Sequence, residues 1–226
     1  MTKTNNLFTY LFIALFIESI GLAFIYNTFA EAFLIGLPAM LVPLYFIKTA
    51  PEALLTKHVA GLAAMIFACL HIHQVNGLIE VHFEIFILLA FLIIYQDWRV
   101  FISATALIAV HHLSFYFMQA GGMAVYIFDA DRLVFSTVLI HAAYAVTEAV
   151  IAAYIAKTMA EESKTGIELS QATQSLTCNS SAIDLKLRVD SRNNETLDSF
   201  NDLLEVLDSL IGSVKQQIFD LNANAN

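Results

Sequence analysis

The residues of this chain best suited to chemistry are its seven histidines, six of which sit in strongly apolar surroundings. They are His71 and His73 in LHIHQVN, His82 in LIEVHFEIF, His111 and His112 in AVHHLSF, and His141 in LIHAAY. Imidazole is a ligand for copper, zinc, iron and nickel, and it changes charge near neutral pH, so such residues serve metal binding, redox chemistry or proton transfer. Carboxylates and phenols accompany them. Glu80 and Glu84 flank His82 at i,i+4 spacing, Tyr116 shares a helical face with His112, and Tyr144 and Glu148 share one with His141. Cys69, Met118 and Met123 fall at the same outer level of the apolar runs and would add soft ligands for cuprous copper. Glu18 and Glu148 read most simply as interhelical hydrogen-bonding groups, and packing between helices is the competing role for each histidine too.

The composition determines which elements carry these groups. Of 226 residues, 58% are hydrophobic and 14% charged, and the mean hydropathy is +0.69. A soluble domain is nearer half apolar and a quarter charged, so a polytopic membrane protein is expected. No basic stripe suggests nucleic acid. Cys69 and Cys178 lie far apart and imply no disulfide framework. The formal charge of −9 is unevenly placed: from Glu161 onward there are eleven acidic and five basic residues, a polar tail on an apolar body.

Apolar runs of about 17–25 residues cross a bilayer as helices. Six are read: 7–26, 32–48, 56–74, 78–96, 99–119 and 132–157. The second carries Pro38 and Pro43 and is either a short crossing or a re-entrant one. The apolar run after MTKTNN has no small-residue cleavage site, so it reads as a retained first span. With the N-terminus in the cytoplasm, Lys3, Lys48, Lys57, Arg99, Lys157 and Lys164 lie inside and Arg132 alone lies outside, as the positive-inside rule favours. This topology puts both termini in the cytoplasm of a bacterial inner membrane. It also brings His71, His73, His82, His111, His112 and His141 to one level, about 2–14 Å below the outer boundary. His58 alone lies at the inner end. Gathered on four spans, the six read as a ligand set for a metal ion, copper favoured, with haem b as the alternative because haem iron accepts axial imidazoles. A single haem uses two histidines, fewer than this level supplies. An ionisable group inside a bilayer faces the bundle interior or a cavity, which makes each a candidate functional residue.

Beyond the last span the pattern changes. Leu197, Phe200, Leu204, Leu207, Ile211, Val214, Ile218 and Leu221 alternate spacings of three and four, an a/d heptad seam that requires a partner helix. A parallel homodimer is expected. The stretch TCNSSAIDLKLRVDSRNN reads as a connector between this helix and the continuation of the sixth span.

Helix, connector and helix, with LKLRV and then ETLDSFNDLLEVLDSL, resemble a HAMP signal-relay module, without its early proline and its glycine before the connector. GLIEVHFEIFILLAFLIIYQDWR followed by AVHHLSFYFMQ resembles the membrane-embedded input region of bacterial methyl-accepting chemotaxis proteins and some diguanylate cyclases. The resemblance covers roughly residues 70–125. It implies a dimeric inner-membrane receptor whose cytoplasmic output, beyond Leu221, drives a kinase or makes a second messenger. Together with the histidine set, the expectation is a non-enzymatic sensor of a metal ion or redox state that signals to cytoplasmic chemotaxis proteins. The resulting expectation is an all-α membrane protein: a six-helix transmembrane bundle over 1–157, then a cytoplasmic HAMP-like coiled-coil segment over 158–226. A membrane metal-dependent redox enzyme is the rival of another class.

Overall fold

The turn signals between the apolar runs act through backbone geometry. Asn27, Asn76 and Gln96 adopt left-handed conformations (φ 58°, 59° and 52°), and Gly77 and Gly122 do so at 81° and 85°. Each lies where one helix stops and the chain reverses, as expected for residues that tolerate or require positive φ at helix ends. A computed structural model of the chain describes residues 3–177, 183–192 and 194–224. All regular structure among these residues is helical. The chain divides into two compact units, Met1–Thr158 and Met159–Asn226.

In the first unit, α1 is Lys3–Tyr26, α2 Phe29–Thr49, α3 Leu54–Gln74, α4 Phe83–Leu92 and α5 Arg99–Ala120; α6, Phe135–Thr177, begins here and continues past the boundary. Five of these helices, all but α4, are long and apolar enough to cross a membrane. The expected fourth span is built differently from a continuous α-helix. Ten α-helical residues are extended by 3-10 turns at Ile79–His82 and Ile93–Tyr95. With rises of about 1.5 and 2.0 Å per residue, the whole run reaches about 29 Å, close to the hydrocarbon thickness of a bilayer.

Within α2 a π-helical turn occupies Ala32–Gly36, one residue short of Pro38. Proline has no N–H and its ring clashes with the carbonyl four residues back, so a wider turn at this point relieves both problems. The helix continues through Pro43 to Thr49 without a break.

The core forms around α3. Its Ala60, Ala63, Ala64, Phe67 and Ala68 are all buried, and a Cβ on Gly61 would lie 2.7 Å from Val100 Cγ1. Small residues on this helix let α5 approach closely. At the lower end Asp97 accepts two hydrogen bonds from the Arg99 guanidinium (2.9 and 2.8 Å) and lies 3.7 Å from Lys57 Nζ.

At the upper end the expected outer loop folds inward. Ile127 and Phe128 are fully buried. Gln119, in the last turn of α5, clamps them: its Oε1 accepts from Ile127 N (2.8 Å) and its Nε2 donates to Phe128 O (2.7 Å). Asp129 N donates to Gly77 O (3.1 Å). A Cβ on Gly77 would stand 2.5–2.7 Å from the Phe128 backbone. The sixth helix starts at Phe135 rather than 132, because Asp129 first caps a 3-10 turn over Ala130–Arg132.

The second unit contains the end of α6 and α7, Glu195–Asn224. Asn194 Nδ2 donates to Thr165 Oγ1 (2.6 Å), and the Asn201 side chain spans Val189 N and O (both 2.9 Å). Of the seam residues, Leu197 and Leu204 are buried and Phe200 is half-buried. Leu207, Ile211, Val214, Ile218 and Leu221 are exposed in the single chain. Cys178 and the adjoining part of the expected connector, through 182, together with Asn193, lie outside the described residues.

Candidate metal centre

Backbone carbonyls only accept hydrogen bonds, so a ring nitrogen bonded to one must carry the proton. That rule assigns the tautomers of three histidines. His82 Nδ1–H donates to Leu78 O (3.3 Å), His112 Nδ1–H to Ile108 O (3.1 Å) and His141 Nδ1–H to Thr137 O (2.8 Å). Each bond runs four residues back along its own segment, and each leaves the lone pair on Nε2. A hydrogen-bonded Nδ1–H with a free Nε2 is the usual arrangement of a metal-ligating imidazole.

These three rings come from the entry to α4, from α5 and from α6. His82 is central, with ring centres 5.5 Å from His112 and 5.1 Å from His141. Two imidazoles sharing one ion, each nitrogen about 2.0 Å away, have centres about 5.1–5.5 Å apart for angles from tetrahedral to trigonal. The Phe128 ring stacks on His82 (5.3 Å, 14°) and contacts His141 (5.1 Å) and His112 (6.2 Å). His82 and His112 are almost wholly buried, and His82 Nε2 has no protein partner. An unpaired buried polar nitrogen costs about 1–3 kcal/mol, so a ligand there has something to satisfy. Beside the rings lies a cavity of about 220 Å³ with apolar walls that include Ile85, Ile108, Leu113 and Val138.

The remaining histidines of the expected set go elsewhere. His71 Nδ1 sits 2.9 Å from both Glu84 oxygens, and its Nε2–H donates to Leu15 O (3.1 Å). Both nitrogens are therefore engaged, and the ring ties α1, α3 and α4 together. Glu18 lies close by: ligand atoms of Glu18, His71 and Glu84 all fall within 4.8 Å of one another, the one trio of this kind among the described residues. The ligand nitrogens of His82, His112 and His141 are accordingly not all within 4.8 Å of one another, although the ring centres are spaced as for a shared ion.

His73 Nδ1 accepts from Tyr126 N (3.2 Å). His111 contacts His112 (5.5 Å) and packs at a tilt of 38° on Phe115 (4.0 Å), and neither of its ring nitrogens has a partner. Cys69 lines a cavity with these last two histidines, apart from the three-ring group, and Met123 is exposed. Glu80 and Tyr144 are exposed, Glu148 is half-buried, and Tyr116 packs on Phe117 and Phe135.

Sequence reasoning placed His82, His112 and His141 on three spans at one level but missed Phe128 and Gln119. No periodicity marks a loop residue that turns inward. The FD–DR stretch after a glycine pair was the only local signal, and it signals a turn. No protein-family model, curated protein or solved structure matches the chain.

Proposed function

We propose that this chain is the membrane-embedded input region of a dimeric signal transducer, in which His82, His112 and His141 hold a copper ion. The observation that carries this reading is the shared tautomer: three imidazoles on three separate segments, His82 and His112 buried and His141 half-buried, each with Nδ1–H tied to a carbonyl and Nε2 left free. Three neutral ligands do not offset the charge of an ion. In apolar surroundings the ionic desolvation cost rises with the square of the charge, which favours the cuprous over a divalent ion. Imidazole accepts both copper oxidation states, so one site responds to metal supply and to redox state.

The proposed topology has six crossings, with α4 and its flanking 3-10 turns as the fourth, both termini cytoplasmic and the histidines in the periplasmic leaflet. The grouping of Lys57, Asp97 and Arg99 at the opposite end supports it. Because the three ligand nitrogens do not all converge in the structure, binding draws α5 and α6 together. A ligand shifts a conformational equilibrium only by binding one state better than the other, and a site that closes on its ion meets that condition. The continuation of α6 and the heptad seam of α7 then pass the change, through a HAMP-like relay, to an output module that engages cytoplasmic chemotaxis proteins.

The test is metal analysis and absorption spectroscopy on the detergent-purified chain after cuprous loading. One copper per chain is expected, falling to background in His82→Ala and His112→Ala. Full occupancy in either variant removes that residue from the set. A Soret band in the wild-type protein instead assigns these histidines to haem, and substrate turnover by residues 1–158 alone assigns the site to a redox enzyme.

A further inference from the structure

Where α1, α3 and α4 meet, two carboxylates and an imidazole converge. Glu18, His71 and Glu84 come one from each helix, and their ligand atoms lie within 4.8 Å of one another. His71 is wholly buried, Glu84 is half-buried and Glu18 is exposed. The entry to α4 stands between this trio and the three-ring group: His82 meets the rings of α5 and α6, whereas Glu84, two residues on, meets α3.

The tautomer of His71 is set the other way round from those of the three rings. Its Nε2–H is committed to Leu15 O (3.1 Å), so the neutral ring turns its Nδ1 lone pair toward Glu84. Both Glu84 oxygens stand 2.9 Å from Nδ1, and an ionised carboxylate also offers only lone pairs. Such a contact needs a positive centre. A proton meets that need for His71 and Glu84 but leaves the charge of Glu18, which hydrogen-bonds to no described residue. Glu18 lies on an apolar helix, about 12 Å from its Tyr26 end, where an unmet charge is costly. Two donor atoms bound to one ion at about 2.05 Å are about 2.9–3.4 Å apart for angles from 90° to tetrahedral. The spacing of Nδ1 from Glu84 falls within that range.

We infer that Glu18, His71 and Glu84 form a site for a divalent metal ion of the zinc type, separate from the three-ring group. Two carboxylates balance the two charges of the ion, so the loaded site is neutral in its apolar surroundings, which three imidazoles cannot achieve. Imidazole nitrogen and carboxylate oxygen are both zinc ligands, and three protein ligands leave a fourth position for water. The Leu15 carbonyl holds the ring of His71 from behind, as outer partners of ligating histidines do. Glu18, exposed and long, is the side chain with room to swing in and complete the set. The ion then pins α1 to α3 and α4. None of this rests on the copper reading.

The test uses the full chain in lipid nanodiscs, stripped of metal by a chelator and titrated with Zn²⁺ alone. Elemental analysis gives the stoichiometry and X-ray absorption gives the ligands. The background is His112→Ala, which breaks the three-ring group without touching α1, α3 or α4. One zinc per chain is expected there, with one imidazole in an otherwise oxygen shell. Adding Glu18→Gln or Glu84→Gln, each of which removes a charge and keeps the shape, weakens binding about tenfold or more. Circular dichroism verifies that each variant is folded, and the exposure of Glu18 makes its variant the decisive one. Absence of bound zinc from the folded His112→Ala chain overturns the inference. So does unchanged affinity on adding Glu18→Gln, or a shell with two or more imidazoles, which would assign the ion to other histidines.

Discussion

Individual side chains at both ends of the bundle have roles set by what surrounds them. His71 and His82 are similar in type and burial, yet a carboxylate beside one and a lone carbonyl beside the other give the first two partners and the second a free nitrogen. Gln74 is comparably committed. It accepts from Ser19 Oγ (2.9 Å) and donates to Ser19 O (3.0 Å) and Thr28 Oγ1 (2.8 Å). Gln74→Leu is therefore expected to destabilise the bundle by about 1–3 kcal/mol, because the polar groups it leaves stay buried; unfolding in mixed detergent micelles measures this. At the opposite end the Arg99 guanidinium, hydrogen-bonded to Asp97, holds that carboxyl below the usual carboxylate range. A depressed folded-state value stabilises the fold above the unfolded pKa, about 4, and that stabilisation is lost as pH falls through the folded value. Asp97→Asn should thus be less stable than wild type at neutral pH, and the gap between the two should shrink in acid.

At the level of elements, the helices were legible and their breaks partly so. Hydropathy runs located four of the five long helices to within a few residues at both ends, because bilayer length and apolar composition are strong constraints. They located the start of the fifth, α6, whose polar continuation to Thr177 no hydropathy run marks. The three ligating candidates followed from span order alone. What stayed hidden depended on contacts between distant segments: the diversion of His71 to Glu84, and the seating of the 121–134 connection against Gly77. The 3-10 turns around α4 were also invisible, since they change rise per residue without changing composition. Gly77→Ala tests the second contact. Its φ of 81° and the Phe128 backbone within 2.7 Å leave no room for a methyl group. A loss of about 2 kcal/mol or more is expected, together with weakened copper binding, because the segment that covers the rings must move. Unchanged melting and copper stoichiometry would show that this connection does not brace the site.

For the whole molecule, the exposed half of the seam on α7 sets the expectation. Five large apolar residues, Leu207 to Leu221, stand in solvent-facing positions at heptad spacing, which an isolated helix in water does not sustain. In a parallel, in-register dimer, Val214→Cys should form a disulfide rapidly in oxidised membranes, whereas a cysteine at Asp208, off the seam, should do so slowly. Equal rates at both positions would remove the in-register pairing. Residues 1–158 expressed alone should still partition with membranes and bind copper, since the candidate ligands all lie in the first unit.

Phe128 offers a way to watch the centre from inside. Its ring lies nearly parallel to His82 and touches the other two imidazoles, so any ion that reorients them alters the magnetic shielding at this single aromatic side chain. A fluorine placed on that ring would give one resonance whose position distinguishes empty from cuprous protein in intact lipid and whose paramagnetic broadening reports the cupric ion, with all three ligands left in place.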